Sequence, residues 1–314
     1  MTQDRPQLGI LLMLGFCIVA PIGDAVAKLL GETIPVGQLL LIRFAVQVVL
    51  LVPLVWLTRR PWRVSGSILW LVVLRTVLHI FGIGAMFAAL RFLPLADAIA
   101  IAFVMPFIML ILGKYVLGEE VGNRRMLACL IGFIGTLFVV QPSFVEVGWP
   151  ALLPLVVAVN FAIFILITRK IAKTTDPIGL QAVSGILAII IITPVLFLFQ
   201  NSGVTALSLK SPTMFEWTLL LAIGGLGTSA HLLMTWSLRY APSTMLAPMQ
   251  YLEIPIATVI GFIVFSDLPN EMATIGILII MAAGLYVVMR ERSIALKQAP
   301  PAKPEPKYEP SPAG

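Results

Sequence analysis

MFAALRFLP (86–94) and MTWSLRYAP (234–242) write one pattern twice, Met–x3–Leu–Arg–aromatic–x–Pro, at an offset of 148 residues. Each copy runs on into an apolar stretch with an internal proline, Pro106 in the first and Pro255 in the second. An acidic turn follows at the same offset, Gly118–Glu119 and Ser266–Asp267. Each copy then closes with a glycine-containing apolar stretch, ending at Leu137–Phe138–Val139–Val140 and Leu285–Tyr286–Val287–Val288. Upstream, Pro35–Val36–Gly37 is matched by Pro177–Ile178–Gly179. Self-similarity of this reach means an internal duplication.

Composition says where the duplicated unit sits. Of 314 residues, 59% are hydrophobic and 11% charged, against about 45–50% and about 25% in soluble domains. A soluble core cannot absorb that much apolar surface, which excludes a typical soluble enzyme, a coiled coil and a disordered chain. Apolar runs lie near 8–30, 35–57, 68–90, 95–117, 126–141, 149–168, 178–199, 215–238, 244–265 and 272–289. Each is close to the roughly 20 residues that cross a bilayer. The expectation is an all-α polytopic membrane protein of ten spans, five in repeat 8–141 and five in repeat 149–290. Residues 291–314, rich in proline, read as a disordered cytoplasmic tail. The first run is too long for a cleavable signal core.

Five is odd, so the second repeat enters the membrane from the opposite side. The charges agree. With the N-terminus inside, the inner loops take Arg5, Arg59, Arg60, Arg63, Arg124, Arg125, Arg169, Lys170, Lys173, Arg239, Arg290, Arg292 and Lys297, and the outer loops only Arg91 and Lys210. This bias predicts cytoplasmic termini. It also accounts for the net charge of +6 without a nucleic-acid partner. Trp56, Trp62 and Trp70 fall at the inner interface and Trp149 and Trp217 at the outer one, as an aromatic belt requires.

Inverted repeats are a common construction of secondary transporters, with the site at the midplane between the halves. The ordered set Arg43–Phe44, Arg75, Leu90–Arg91–Phe92–Leu93–Pro94, Pro106, Gly118–Glu119, Gly132, Gly135, Pro242, Pro255, Asp267, Gly276 and Gly284 resembles the drug/metabolite transporter superfamily, in particular EamA-type carriers. The resemblance covers residues 8–290 and departs at Ser266–Asp267, where many members have Gly–Glu. It implies a carrier of the bacterial inner membrane that moves a small organic metabolite by alternating access. Leu252–Glu253–Ile254–Pro255 and Ala20–Pro21–Ile22–Gly23–Asp24–Ala25 look like a branch holding riboflavin and S-adenosylmethionine carriers. Riboflavin or a similar vitamin is the first substrate expectation; S-adenosylmethionine, an amino acid or a nucleoside is the alternative.

Polar groups at membrane depth are costly and usually face protein or water, so they are the candidate site. Glu253 leads: it lies mid-span, one turn after Gln250 and two residues before Pro255, whose ring removes a helical hydrogen bond. Asp24 is one turn from Lys28 and can pair with it. Arg75 and His79 share a helix face and could neutralise an anionic group or, at His79, carry a proton. His231 is the comparable residue of the eighth span, although the offset of 148 puts Gly227 opposite His79. Arg43, with Gln47 at i+4, is implied by the resemblance to hold the fold. Asp97 reads as a helix start or a gate. Tyr251 and Trp236 combine a ring with a polar handle, whereas Phe103 and Phe107 read as packing. Asn160 and Gln181 can bind substrate or bridge helices.

No phosphate-binding loop or zinc-protease motif is present, so ATP hydrolysis, metal and cofactor are not expected. Cys17 and Cys129, in separate apolar runs, form no redox or zinc pair. Gly82–Ile83–Gly84 and Gly224–Gly225–Leu226–Gly227 lack a preceding strand and read as close helix packing. A membrane-embedded lipid enzyme would need clustered acids or histidines; here they are scattered over five runs. The partners expected are the substrate and the bilayer, with a homo-oligomer left open.

Overall fold

The computed structural model describes residues 5–298, and among these the chain forms helices and no strands. The first half holds α1 (Pro6–Gly31), α2 (Val36–Leu57), α3 (Gly66–Ala89), α4 (Leu95–Ala102), α5 (Met105–Leu117) and α6 (Asn123–Val147). The second holds α7 (Leu153–Ala172), α8 (Pro177–Phe199), α9 (Met214–Tyr240), α10 (Ser243–Leu246), α11 (Glu253–Phe265) and α12 (Glu271–Gln298). Nine spans among the described residues are long and apolar enough to cross a membrane, and α12 carries a further apolar stretch, Glu271–Tyr286.

Helix ends follow local chemistry. Pro177 starts α8, where the Asp176 carboxylate accepts from the amides of Ile178 and Gly179 at 3.1 and 3.0 Å. Thr213 and Glu216 close a capping box on α9. Large apolar side chains such as Val49, Phe197 and Ile263 are 69%, 72% and 73% exposed. A belt of this kind needs hydrocarbon rather than water around it.

The pairing of helices shows the inverted duplication. Helix α1 packs along α9, and its repeat equivalent α7 packs along α3. Helix α2 lies against α8, and α6 against α12, each pair being its own counterpart. At the α6–α12 crossing, a Cβ on Gly135 would stand 2.8 Å from the Gly276 carbonyl oxygen, so only glycine allows this approach. Gly82 and Gly84 meet Asn160 and Leu40 across helix contacts, and Gly224 and Gly227 meet Val46 and Arg43.

The fourth and ninth spans differ from the single helices expected over 95–117 and 244–265. The fourth breaks between α4 and α5, and Pro106 is the second residue of α5. The ninth begins as α10, tightens into a 3-10 segment over Ala247–Leu252, and resumes as α11 at Glu253. Proline has no amide to give a carbonyl four residues back, so both ladders are interrupted. The chain also departs from the expected tail boundary. Helix α12 continues through Gln298, because residues 291–298 contain no glycine or proline to stop it. The rest of the expected tail lies outside the described residues.

Candidate functional site

The broken spans border a cavity of about 110 Å³ between the repeats. From the first half come Phe16 and Asp24 on α1, Arg43 on α2, Phe87 on α3 and Phe103 at the α4–α5 break. From the second come Phe161 on α7, Gly227 and His231 on α9, and Gln250 and Glu253 at the α11 entry. Three helices place the charges. Asp24 is in the C-terminal part of α1, Arg43 reaches over α9, and Glu253 is the first residue of α11. Gly227 makes the room: a Cβ there would stand 2.6 Å from Arg43 Nε.

These groups share one property. Arg43 Nη1, both amide atoms of Gln250 and Glu253 Oε1 are buried and take no hydrogen bond within the described residues. Buried polar atoms are nearly always paired, so each orphan needs an explanation. Here donors and acceptors without partners converge on one hollow, which is a chemistry able to hold a polar ligand. Phe16, Phe87, Phe103 and Phe161 supply ring surface on the same walls.

The remaining candidates lie elsewhere. Each nitrogen of Arg75 has a partner: Nε donates to Thr168 at 2.8 Å, Nη1 to Ser184 at 2.8 Å and Nη2 to Gln181 at 3.4 Å, while its guanidinium lies 4.6 Å from the Phe164 ring centroid. It ties α3 to α7 and α8 and does not line the cavity. His79 is buried beside it, with Nε2 3.1 Å from Nε2 of His231. The expected scatter of the histidines is thus corrected: their side chains reach from α3 and α9, in opposite repeats, and meet. Phe164 stacks on His79 at 4.7 Å. One imidazole donates in this contact, and both Nδ1 atoms lack partners among the described residues.

Asn160 bridges helices, donating to the Leu78 carbonyl at 2.7 Å. The Gln181 backbone carbonyl accepts from Gln47 Nε2 at 2.7 Å, and its side-chain amide donates to Thr235 at 3.3 Å. Tyr251 is fully buried against Phe103, its hydroxyl 3.4 Å from the Cys129 carbonyl. Trp236 packs beside Leu51 and Val55. Asp97 accepts from Ser143 at 2.9 Å. Lys28 pairs with Asp267, at 2.5 Å, and not with Asp24. Arg43, expected to hold the fold, faces the cavity. Phe16, Phe87 and Phe161 were not singled out by sequence, where nothing separates a cavity-facing ring from a lipid-facing one.

The comparisons with known proteins agree with this architecture. The model of the EamA-like transporter family matches residues 7–141 and again 148–290. The S-adenosylmethionine uptake transporter of Rickettsia prowazekii is 24% identical over 276 residues, 88% of this chain and 90% of the relative. The riboflavin transporter of Rhizobium johnstonii is 28% identical over 235 residues, 74% of this chain and 72% of the relative. That of Brucella anthropi is 26% identical over 220 residues, 70% and 76% of the two chains. A solved crystal structure, 17% identical, matches with a TM-score of 0.65 across 92% of this chain and 98% of that one, which shows the fold. Two matched copies spanning nearly the whole helical region settle the classification: the chain belongs to the EamA-like transporter family.

Proposed function

We propose that the protein is a secondary carrier of a bacterial inner membrane, both termini cytoplasmic, that takes up a cofactor-class metabolite by alternating access through the cavity between its repeats. The convergence of unpartnered buried polar groups on that cavity carries the reading. The site residues are Glu253, Gln250, Asp24, Arg43 and His231. The neighbouring His79, Arg75, Tyr251 and Asn160 hold the walls.

Charge decides between the substrates named for the relatives. Asp24 and Glu253, when ionised, outnumber Arg43 by one, so the site favours a ligand with a carboxylate for the arginine and more than one positive centre for the acids. S-adenosylmethionine has that make-up: an α-carboxylate, an ammonium and a sulfonium. Its adenine edge also suits Gln250, whose open donor and acceptor lie side by side. Riboflavin is the second reading, favoured by the four phenylalanine rings on the cavity walls, which suit a planar heterocycle.

Purified protein in liposomes tests both. Saturable uptake of labelled S-adenosylmethionine, resisted by excess riboflavin, is the expected result. Riboflavin uptake alone reverses the order of the two, and no saturable uptake of either rejects the proposed substrates.

A further inference from the structure

Among the ion pairs that join the repeats, Lys28–Asp267 and Arg169–Glu119 are each other's counterparts. Lys28 lies three residues before the end of α1, and Arg169 three before the end of α7, the first helix of the other half. Their partners match as well. Asp267 is the second residue after α11 and Glu119 the second after α5. Both acids follow a left-handed residue, and their amides donate to Gly261 and Gly113 at 3.2 and 3.0 Å. Thus a cation from the first helix of each half holds an acid from the fourth span of the other, at opposite ends of the bundle.

The two ends are not closed alike. At one, Glu119 takes Arg169 at 3.2 Å, the Ser243 hydroxyl at 2.8 Å and the Ser243 and Thr244 amides at 3.3 and 3.0 Å. Arg169 also donates to the Leu238 carbonyl at 2.6 Å. A Cβ on Gly113 would stand 2.6 Å from Thr244 Cγ2, so the helices touch there. At the other end the Asp267 carboxylate is held by Lys28 alone among the described residues, and the pair is 19% and 32% exposed. Gly261, the counterpart of Gly113, has its nearest Cβ neighbour at 3.8 Å, so the packing seen here makes no use of its smallness. The cavity lies toward this second end, with Asp24 one turn from Lys28.

We infer that Lys28–Asp267 and Glu119–Arg169 are the two gates of the carrier, that both are made in the conformation described here with the Glu119 end the more heavily bonded, and that each breaks in its turn while the other holds. The inference rests on the proposed carrier function. Exchange of the two half-structures carries Gly261 into the close contact that Gly113 now makes, which accounts for a glycine at both positions. The basic loops place the Glu119 gate on the cytoplasmic side and the Lys28 gate outside.

The test uses the full chain with Cys17→Ala, Cys129→Ala and a reporter, Ala20→Cys, on the cavity wall, in right-side-out and inside-out membrane vesicles. Labelling with a membrane-impermeant maleimide is the readout. Asp267→Asn is expected to raise labelling several-fold from the outer side only, and Glu119→Gln from the cytoplasmic side only. The exchanged pair Lys28→Asp with Asp267→Lys is expected to return labelling to the parent level. A rise at both sides alike, or at neither, in protein that reaches the membrane overturns the inference. Uptake measured in the same vesicles separates the two readings, because side-specific labelling without uptake of either substrate supports the gates and rejects the substrates alone.

Discussion

Glu253→Gln abolishes concentrative uptake, by about tenfold or more, in protein that inserts and melts like the parent. The physical ground is the difference between the two forms of the side chain. Glu253 Oε1 takes no bond from the described residues, so removing the charge takes nothing from the fold. The same removal leaves a cationic substrate group without its counter-charge in a buried site, and truncating one partner of such a pair costs about 2–5 kcal/mol. Even the lower figure exceeds one decade in affinity. The amide keeps the shape and one acceptor, which excludes a steric explanation. Vesicle uptake set beside a detergent melting curve checks it, and unchanged uptake removes Glu253 from the mechanism.

Arg43→Gln and Arg75→Gln are expected to fail in opposite ways. Arg75 makes two charged hydrogen bonds at 2.8 Å to fully buried hydroxyls. At about 1.5–3 kcal/mol each, their loss lowers stability by about 3 kcal/mol or more. The expected readout is a lower melting temperature and less folded protein. Arg75→Lys does not repair it, because an ammonium lacks the planar fork that reaches Thr168 and Ser184 together. Arg43 donates no hydrogen bond to the described residues and sits 5.0 Å from the Phe44 ring centroid, a cation–π contact of about 0.5–2 kcal/mol. Its replacement lowers substrate binding with a smaller effect on melting. A collapsed Arg43→Gln together with an active Arg75→Gln would reverse these assignments.

Much of the fold is legible in the chain, because a bilayer imposes span length and the duplication repeats its landmarks. The breaks near Pro106 and Pro255 are legible for the same reason: a ring without an amide interrupts a helix in any environment. The arginines are harder. Both stand at depth with a polar residue at i+4, and sequence alone puts Arg75 in the site and Arg43 in the scaffold. The structure seats Arg75 among Thr168, Ser184 and Gln181 and puts Arg43 on the cavity wall. In a soluble helix the apolar stripe marks the inner face, but here lipid and core are equally apolar, so the pattern does not say which way a side chain points. Distance in sequence hides the rest. Lys28 has Asp24 one turn away yet pairs with Asp267, 239 residues on. His79 meets His231 across 152 residues, although the repeat offset aligns it with a glycine.

Gly118 and Ser266 hold the same left-handed torsion, φ +66° and +56°. A residue with a Cβ gives up about 1–2 kcal/mol in that region, which glycine does not. The duplicated halves have therefore drifted in side chain while the backbone angle stayed fixed, and at this turn the strain falls on the second half. Ser266→Gly is in this sense a repair rather than a perturbation. It removes a side chain whose torsion opposes the turn, and it offers a route to a sturdier protein for crystallisation that leaves every cavity residue in place.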